Sequence, residues 1–358
     1  MIDKQLLETV SELSHEFGTA AYVRGGGGNT SCKNETDLYI KPSGLTLGEM
    51  TPERFIGLSR DMIERMFQEP FSNDAAEREA QVVAYMAETL LPGSKGRPSV
   101  EAPLHNCFPQ RFVIHTHPAI VNGMTCGRNG ARACGELFPQ ALWLPPDDPG
   151  YQTSKRVRAA LEKYAAEKGN YPEMLFLANH GLFIAHDDAE GVRRLYRQAV
   201  EKISEVVSRA GKAGDPARGA MPAPDVVERT VAVFREIIGS EASCFVSSGR
   251  FALPAGALSP DHIVYCKAAL YEGDASPDSL RVFKEKHGYW PRVIATPDAV
   301  YGIGSSQKVA DLALELAWDG ALVVRYAEAF GGAVYLEQRL VDFIENWEVE
   351  SYRQRMAR

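Results

Sequence analysis

No apolar run in the sequence approaches the roughly 18 residues that a membrane-spanning helix requires. The first residues, Met1-Ile2-Asp3-Lys4-Gln5, are polar and acidic where a secretory signal places basic residues followed by an apolar stretch. The six cysteines contain no Cys-x-x-Cys pair, which excludes zinc-ribbon and dithiol redox patterns. The 39 basic residues are outnumbered by 47 acidic ones and include no run of five or more, so the chain carries no footprint for nucleic acid. Internal repeats and low-complexity tracts are also lacking. These absences predict a cytoplasmic protein whose partner is a small molecule, with no nucleic acid and no membrane involved.

What is present is the composition of a globular protein, with 45% hydrophobic and 24% charged residues over 358 positions. That length predicts two or three domains. A Gly/Pro/Ala-rich break runs from Gly211-Lys212-Ala213-Gly214-Asp215-Pro216 to Pro222-Ala223-Pro224. It separates a first domain over 1–213 from a second, smaller one over 225–358.

Leu6, Leu7, Val10, Leu13 and Phe17 recur three or four apart and predict a helix within 1–20. Arg24 to Ser31 reads as a turn-rich segment, followed by a strand at Asp37-Leu38-Tyr39-Ile40. Further helices are expected at Glu77 to Leu91 and Val192 to Ala210. In the second domain, strand signals at His262 to Cys266 and Arg292 to Ala295 alternate with helical stretches at 277–285, 307–316 and 334–345. That alternation predicts a second α/β layer structure.

The chemistry concentrates at His115-Thr116-His117-Pro118, which ends the apolar run Phe112-Val113-Ile114. In a strand, residues i and i+2 point to one face about 6.6–7 Å apart, so both imidazoles can converge on one ion. His180-Gly181 follows another strand-like run, Met174 to Ala178, and supplies a third ligand. Three protein ligands leave a position for substrate, the pattern of a catalytic zinc, although imidazole also serves other divalent metals. Glu101, fourteen residues before His115, is either a general acid/base beside the metal or a solvated loop glutamate. Gly25-Gly26-Gly27-Gly28-Asn29-Thr30-Ser31 offers small residues whose amides can line an anion-binding concavity, and Ser43-Gly44 and Ser99 can add donors. Read blandly, the same glycines are a flexible turn. Gly302-Ile303-Gly304-Ser305-Ser306 lacks the third glycine of a dinucleotide loop and is expected to be a strand-to-helix turn. His105 follows Glu101 by four residues and is expected behind the ligands, while His186 is expected on the surface.

In order and spacing, Gly28-Asn29-Thr30-Ser31, Pro42-Ser43-Gly44, Ser99-Val100-Glu101, His115-Thr116-His117 and His180-Gly181 resemble the motif set of the class II aldolase/adducin family over residues 1–210. The resemblance implies an α/β/α domain around a central mixed, largely antiparallel sheet. It implies a divalent metal, usually Zn2+, on His115, His117 and His180, with Glu101 as acid/base. It implies a phosphate held by Gly28, Asn29, Ser43, Gly44 and Ser99. The second half, through Leu258-Ser259-Pro260-Asp261-His262-Ile263-Val264, Pro291-Arg292-Val293-Ile294 and the segment from Gly332 to Trp347, is similar to the middle region of bacterial bifunctional aldolase/short-chain dehydrogenases of the rhamnulose-phosphate aldolase type. The whole chain thus resembles their aldolase portion without the dehydrogenase domain.

The implied reaction is reversible retro-aldol cleavage of a ketose 1-phosphate or related sugar phosphate through a metal-stabilised enediolate. The alternatives are decarboxylation, epimerisation or dehydration of a sugar acid or sugar phosphate, and a non-catalytic adducin-like association module. Family aldolases often carry an aldehyde-protonating tyrosine just before the Pro-Gly turn that precedes the helix near Thr153. Here Pro146 occupies that place and Tyr151, after the turn, is the candidate donor. The family also implies a homo-oligomer. The C-terminal domain is expected to serve as scaffold, interface or lid, with Lys267, Arg250 and Arg325 as candidate anion contacts or as ordinary surface groups.

Overall fold

The computed structural model describes residues 3–274 and 276–347. The chain divides into two compact units, Met1–Val121 with Asn129–Glu205, and Asn122–Arg128 with Val206–Arg358.

The first unit is built on a seven-stranded sheet of β1 (Asn29–Lys33), β2 (Asp37–Ile40), β3 (Ile56–Ser59), β4 (Phe112–Thr116), β5 (Leu142–Leu144), β6 (Met174–Leu177) and β7 (Gly181–His186). Their spatial order is β3-β2-β1-β4-β7-β6-β5, antiparallel throughout except for the parallel β5–β6 pair. Strand alternation sends successive side chains to opposite faces. On one face Val113, Leu175, Phe183 and Ala185 pack against Leu104, Val157 and Leu161 from the helices Ala102–Cys107 and Tyr151–Lys168. On the other, Thr116 Oγ1 lies 2.7 Å from the buried Tyr196 hydroxyl of the helix Ala189–Arg209, and Tyr196 stacks on Phe17 of the helix Lys4–Phe17. Helices therefore cover both faces of a mixed sheet, as the sequence leads one to expect.

The segment Asn29 to Ser31, expected as turn, is instead the start of β1 in the middle of the sheet. A polar central strand is stable only if each side chain finds a partner, because an unpaired buried polar group costs roughly 1–3 kcal/mol. Thr30 pairs with Ser14 (2.7 Å), Ser31 with His105 Nδ1 (2.8 Å), and Lys33 Nζ donates to the His105 and Phe108 carbonyls (2.5 and 2.7 Å).

The second unit carries a four-stranded sheet ordered β8 (Cys244–Gly249), β11 (Ala299–Gly304), β10 (Val293–Ala295), β9 (Tyr271–Glu272), antiparallel except for β10–β9. Tyr301, Ile303 and Ile294 face Phe234, Ile238, Leu280 and Phe283 of the helices Pro224–Ile238 and Pro277–His287. Val300, Val293 and Ala295 face Val264, Leu312 and Leu316 on the other side.

Residues His262 to Cys266, expected as a strand, belong to the helix Pro260–Cys266. A short apolar run has no period that separates a buried strand from a buried helix turn. Pro260 at the first helical position, preset to helical φ, decides for the helix. The expected 307–316 helix extends over Gln307–Ala327, and the strand-to-helix turn at 302–306 joins β11 to it.

Candidate metal and acid/base site

Asn29 on β1 sits directly opposite His115 on β4 in the antiparallel register. The odd-numbered residues of β1 and of β4 share the face covered by the helix Ala102–Cys107, whose N-cap is Glu101. The ladder thus delivers Asn29 and His115 to one place, and the helix delivers Glu101 to it. His117 lies one residue beyond β4, where its backbone N–H donates to the Tyr22 carbonyl (2.9 Å). His180 closes the β6–β7 turn by donating its N–H to the Leu177 carbonyl (3.2 Å), and Asn179 before it takes φ 54°.

The three imidazoles converge through their Nε2 atoms. His115 Nε2 is 2.9 Å from His117 Nε2 and 3.3 Å from His180 Nε2. All three ligand atoms lie within 4.8 Å of one another. Donors about 2.0–2.1 Å from a tetrahedral zinc are about 3.3 Å apart, so the cluster has the span such an ion needs. The donor chemistry fits as well. His115 Nδ1 lies 3.0 Å from the Leu182 carbonyl, to which it donates in the tautomer that leaves the Nε2 lone pair for the cluster. His115 is fully buried, and burial, then the neighbouring His117 and His180, hold it well below the ordinary histidine range. Both influences favour the neutral form, the one a ligand must present. The Phe183 ring stacks on it at 3.7 Å and fixes its plane.

Two glycines make this approach possible. A Cβ on Gly181 would stand 2.5 Å from the Thr116 carbonyl oxygen and 2.6 Å from His117 Cδ2. Gly28 has φ 69°, and a Cβ there would stand 2.9 Å from the His115 carbonyl oxygen.

Glu101 divides its carboxylate between two tasks. Oε1 lies 3.3 Å from His115 Nε2 and 4.0 Å from His180 Nε2. Oε2 accepts from Asn29 Nδ2 at 3.2 Å. Asn29 Nδ2 also donates to Ser99 Oγ, and Ser99 Oγ accepts from the Glu101 backbone N–H (3.2 Å). The Ser43 loop is laced to the same segment, since Ser43 Oγ donates to the Pro98 carbonyl (3.2 Å) and its N–H to the Arg97 carbonyl (3.1 Å). Gly44 turns that loop at φ 94°.

Tyr151 is placed elsewhere. It is 3% exposed among Leu38, Ile63, Met66 and Val82, and its hydroxyl donates to the Met66 carbonyl (3.0 Å). The expected aldehyde-side donor is thus engaged in the core, because Phe67 and Phe71 form an aromatic slot for the first turn of its helix. His105 is fully buried, hydrogen-bonded to Ser31, and edge-on to Phe183, two ring contacts from the cluster centre. His186, expected on the surface, is partly buried and paired with Glu173 (3.4 Å) and Asp188 (3.1 Å). Residues that sequence reasoning missed are Lys33, Phe183 and Leu182. Only Lys33 left a trace in the sequence, as a charge in a segment that burial otherwise dominates. Burial pushes it down to about 7.

Residues 8–203 match the family model described as the class II aldolase and adducin N-terminal domain. Among curated proteins, the chain is 24% identical to the uncharacterized oxidoreductase YuxG of Bacillus subtilis over 93% of this chain and 55% of that protein. It is 22% identical to a probable bifunctional methylthioribose-1-phosphate isomerase/methylthioribulose-1-phosphate dehydratase of Nocardia farcinica over 57% of this chain and 35% of that one. The chain therefore spans about half the length, or less, of these curated relatives. Among solved structures, the N-terminal class II aldolase domain of a conserved protein from Thermoplasma acidophilum is similar at 24% identity and a TM-score of 0.48, covering 56% of this chain and 93% of that one. No helix among the described residues is long and apolar enough to cross a membrane.

Proposed function

The chain belongs to the class II aldolase and adducin family, and on that premise we propose that it is a zinc-dependent carbon-carbon lyase that cleaves a ketose 1-phosphate or related sugar phosphate by a reversible retro-aldol reaction. The observation that carries the proposal is the convergence of His115, His117 and His180 Nε2 with Glu101 Oε1 3.3 Å from the first of them.

In this reading the three histidines hold the ion, which when bound supplies a Lewis acid for the charge that develops on substrate oxygens. As the carbon-carbon bond breaks, the hydroxyl that becomes the aldehyde carbonyl loses its proton to water, and Glu101, entering the step protonated with Oε1 facing the histidines, gives a proton to the carbon that the departing aldehyde leaves behind. In the condensation direction it removes that proton. Asn29 holds Oε2, so the carboxylate presents Oε1 without a rotamer search. Gly28, Asn29, Ser43, Gly44 and Ser99 bind the phosphate, which places the carbonyl end of the substrate at the histidines. The chain works as a homo-oligomer in the cytoplasm.

A dehydration or decarboxylation at the same cluster is the second reading, and one observation favours it. The Tyr151 hydroxyl is bonded to Met66 in the core, so it is not placed to exchange the proton that the substrate hydroxyl loses on becoming the aldehyde and regains in condensation. The Nocardia farcinica relative is itself named a dehydratase.

Elemental analysis of wild type and His117→Ala, paired with aldehyde release from a panel of ketose 1-phosphates, tests the proposal. Near-stoichiometric zinc and aldehyde release, both lost in the variant, are expected. Stoichiometric metal with loss of water or carbon dioxide and no aldehyde would replace it with the second reading.

A further inference from the structure

The second unit contains a cavity of about 190 Å³ that the proposed lyase chemistry does not use. It opens where β11 ends and β10 begins, and all of its lining residues belong to that unit. Its polar wall brings together Lys267, from the end of the helix Pro260–Cys266, and Arg292, which precedes β10. Tyr289 and Trp290 form the aromatic wall, and the turn Gly304-Ser305 leading into the helix Gln307–Ala327 forms a third side.

Lys267 is the residue that needs explaining. Its backbone has φ 68° and ψ 161°, a region essentially confined to glycine that costs any other residue of order 1–3 kcal/mol. A glycine would close the helix without that cost. Retaining a lysine there is explained if its side chain is used. Its ammonium lies 5.1 Å from the Tyr289 ring centroid and forms no ion pair or hydrogen bond among the described residues.

Among the described residues, the carboxylates of Glu241 and Glu345 near the cavity are already engaged. Glu241 accepts from Lys284 Nζ (2.7 Å) and Trp290 Nε1 (3.2 Å). Glu345 accepts from the Ala268 N–H (3.3 Å) and acts on both Lys267 and Tyr289. Arg292 donates to the Val264 carbonyl (3.0 Å), which holds its guanidinium at the cavity wall. Burial, and after it the charge of Arg292, hold Lys267 below the ordinary lysine range. An anion set between the two cations offsets the repulsion between them.

We propose that this cavity is a second ligand site that binds a small phosphate monoester, with the phosphoryl group between Lys267 Nζ and the Arg292 guanidinium and the organic body against Tyr289 and Trp290. Two cations match a dianion, and the volume suits a short sugar phosphate. The site is independent of the metal cluster and stands whether or not the lyase reading does.

The test is calorimetric titration of D-ribose 5-phosphate into wild type, Lys267→Gly, Lys267→Met and Ser99→Ala, with melting curves of each. Lys267→Gly is expected to melt higher than wild type without ligand, because the strain is gone, and to bind at least tenfold more weakly at this site. Lys267→Met keeps the strain and the stem but loses the charge, so its affinity falls equally with little gain in melting temperature. Ser99→Ala, which alters the phosphate loops of the first unit, leaves this binding in place. If both Lys267 variants bind with unchanged affinity and stoichiometry, or if Ser99→Ala alone removes all binding, the proposal is wrong and the Lys267 conformation serves the fold only.

Discussion

Asn29 and His115 face each other across the β1–β4 ladder, and the amide of the first holds the carboxylate that touches the imidazole of the second. The geometry of the site is therefore set by strand register. A one-residue slip of either strand would turn its own side chain to the opposite face and part the pair.

That coupling makes Asn29→Ala informative. The variant frees Glu101 Oε2 and removes the donor to Ser99 while leaving the histidines untouched. Metal content is expected to stay at the wild-type level, with kcat/KM falling by about 10²-fold because the carboxylate is no longer oriented. Glu101→Gln is expected to retain metal too and to lose about 10²–10⁴-fold in kcat. Elemental analysis beside steady-state kinetics reads both, and loss of metal in either variant would mean that the carboxylate supports the cluster itself.

Gly181→Ala tests how tightly the cluster is built. The new Cβ meets the Thr116 carbonyl and His117 Cδ2, so either the β6–β7 turn or the His117 ring must move. A stability loss of about 1–3 kcal/mol is expected from the overpacking. Metal affinity is expected to fall roughly 10–100-fold, the range seen when the surroundings of metal ligands are disturbed. Competition with a chelator measures the second effect, and unchanged affinity would show that the ring position is not critical.

Tyr151→Phe separates the core role of this residue from a proton-donor role. Removing the hydroxyl leaves the buried Met66 carbonyl without that donor, so a loss of about 1 kcal/mol is expected in denaturant unfolding. Turnover per metal-loaded enzyme is expected to stay within twofold of wild type. A drop of 10²-fold or more at full metal loading would return Tyr151 to the reaction.

Glu79 gives the clearest pH signature away from the metal cluster. Burial raises it to about 7, opposed by Arg78 and by the Tyr151 backbone N–H. A carboxyl raised in the folded state binds more protons there than in the unfolded chain between about 4.5 and 7. Its contribution to stability is therefore full below about 4.5 and lost as the pH rises through 7. Glu79→Gln is expected to gain on wild type across that window by at most on the order of 3 kcal/mol and to level off above it. Melting temperatures of both proteins from pH 4 to 8 check the slope, and parallel curves would show that the carboxyl is not buried in solution.

The sequence by itself determined the local and the chemical parts of this protein. Leu6, Val10, Leu13 and Phe17 announce the first helix through a 3.6-residue period, and His115-Thr116-His117 with His180-Gly181 announces a metal-ligand set, because those signals reside in spacing along the chain. Tertiary structure decided the rest. Asn29-Thr30-Ser31 reads as turn because polar residues avoid central strands, and only partners distant in sequence, Glu101 for Asn29 and His105 for Ser31, make the strand affordable. Val264 and Tyr265 lie in a helix because Pro260 starts one and the packing around it buries every side, which no alternation can encode. Tyr151 turns into the core because Phe67, Phe71 and the Met66 carbonyl are there to receive it. Lys267 holds a glycine-like backbone that no residue preference predicts. Periodicity and ligand type belong to the chain alone, whereas the satisfaction of buried polar groups depends on residues that only the fold brings near.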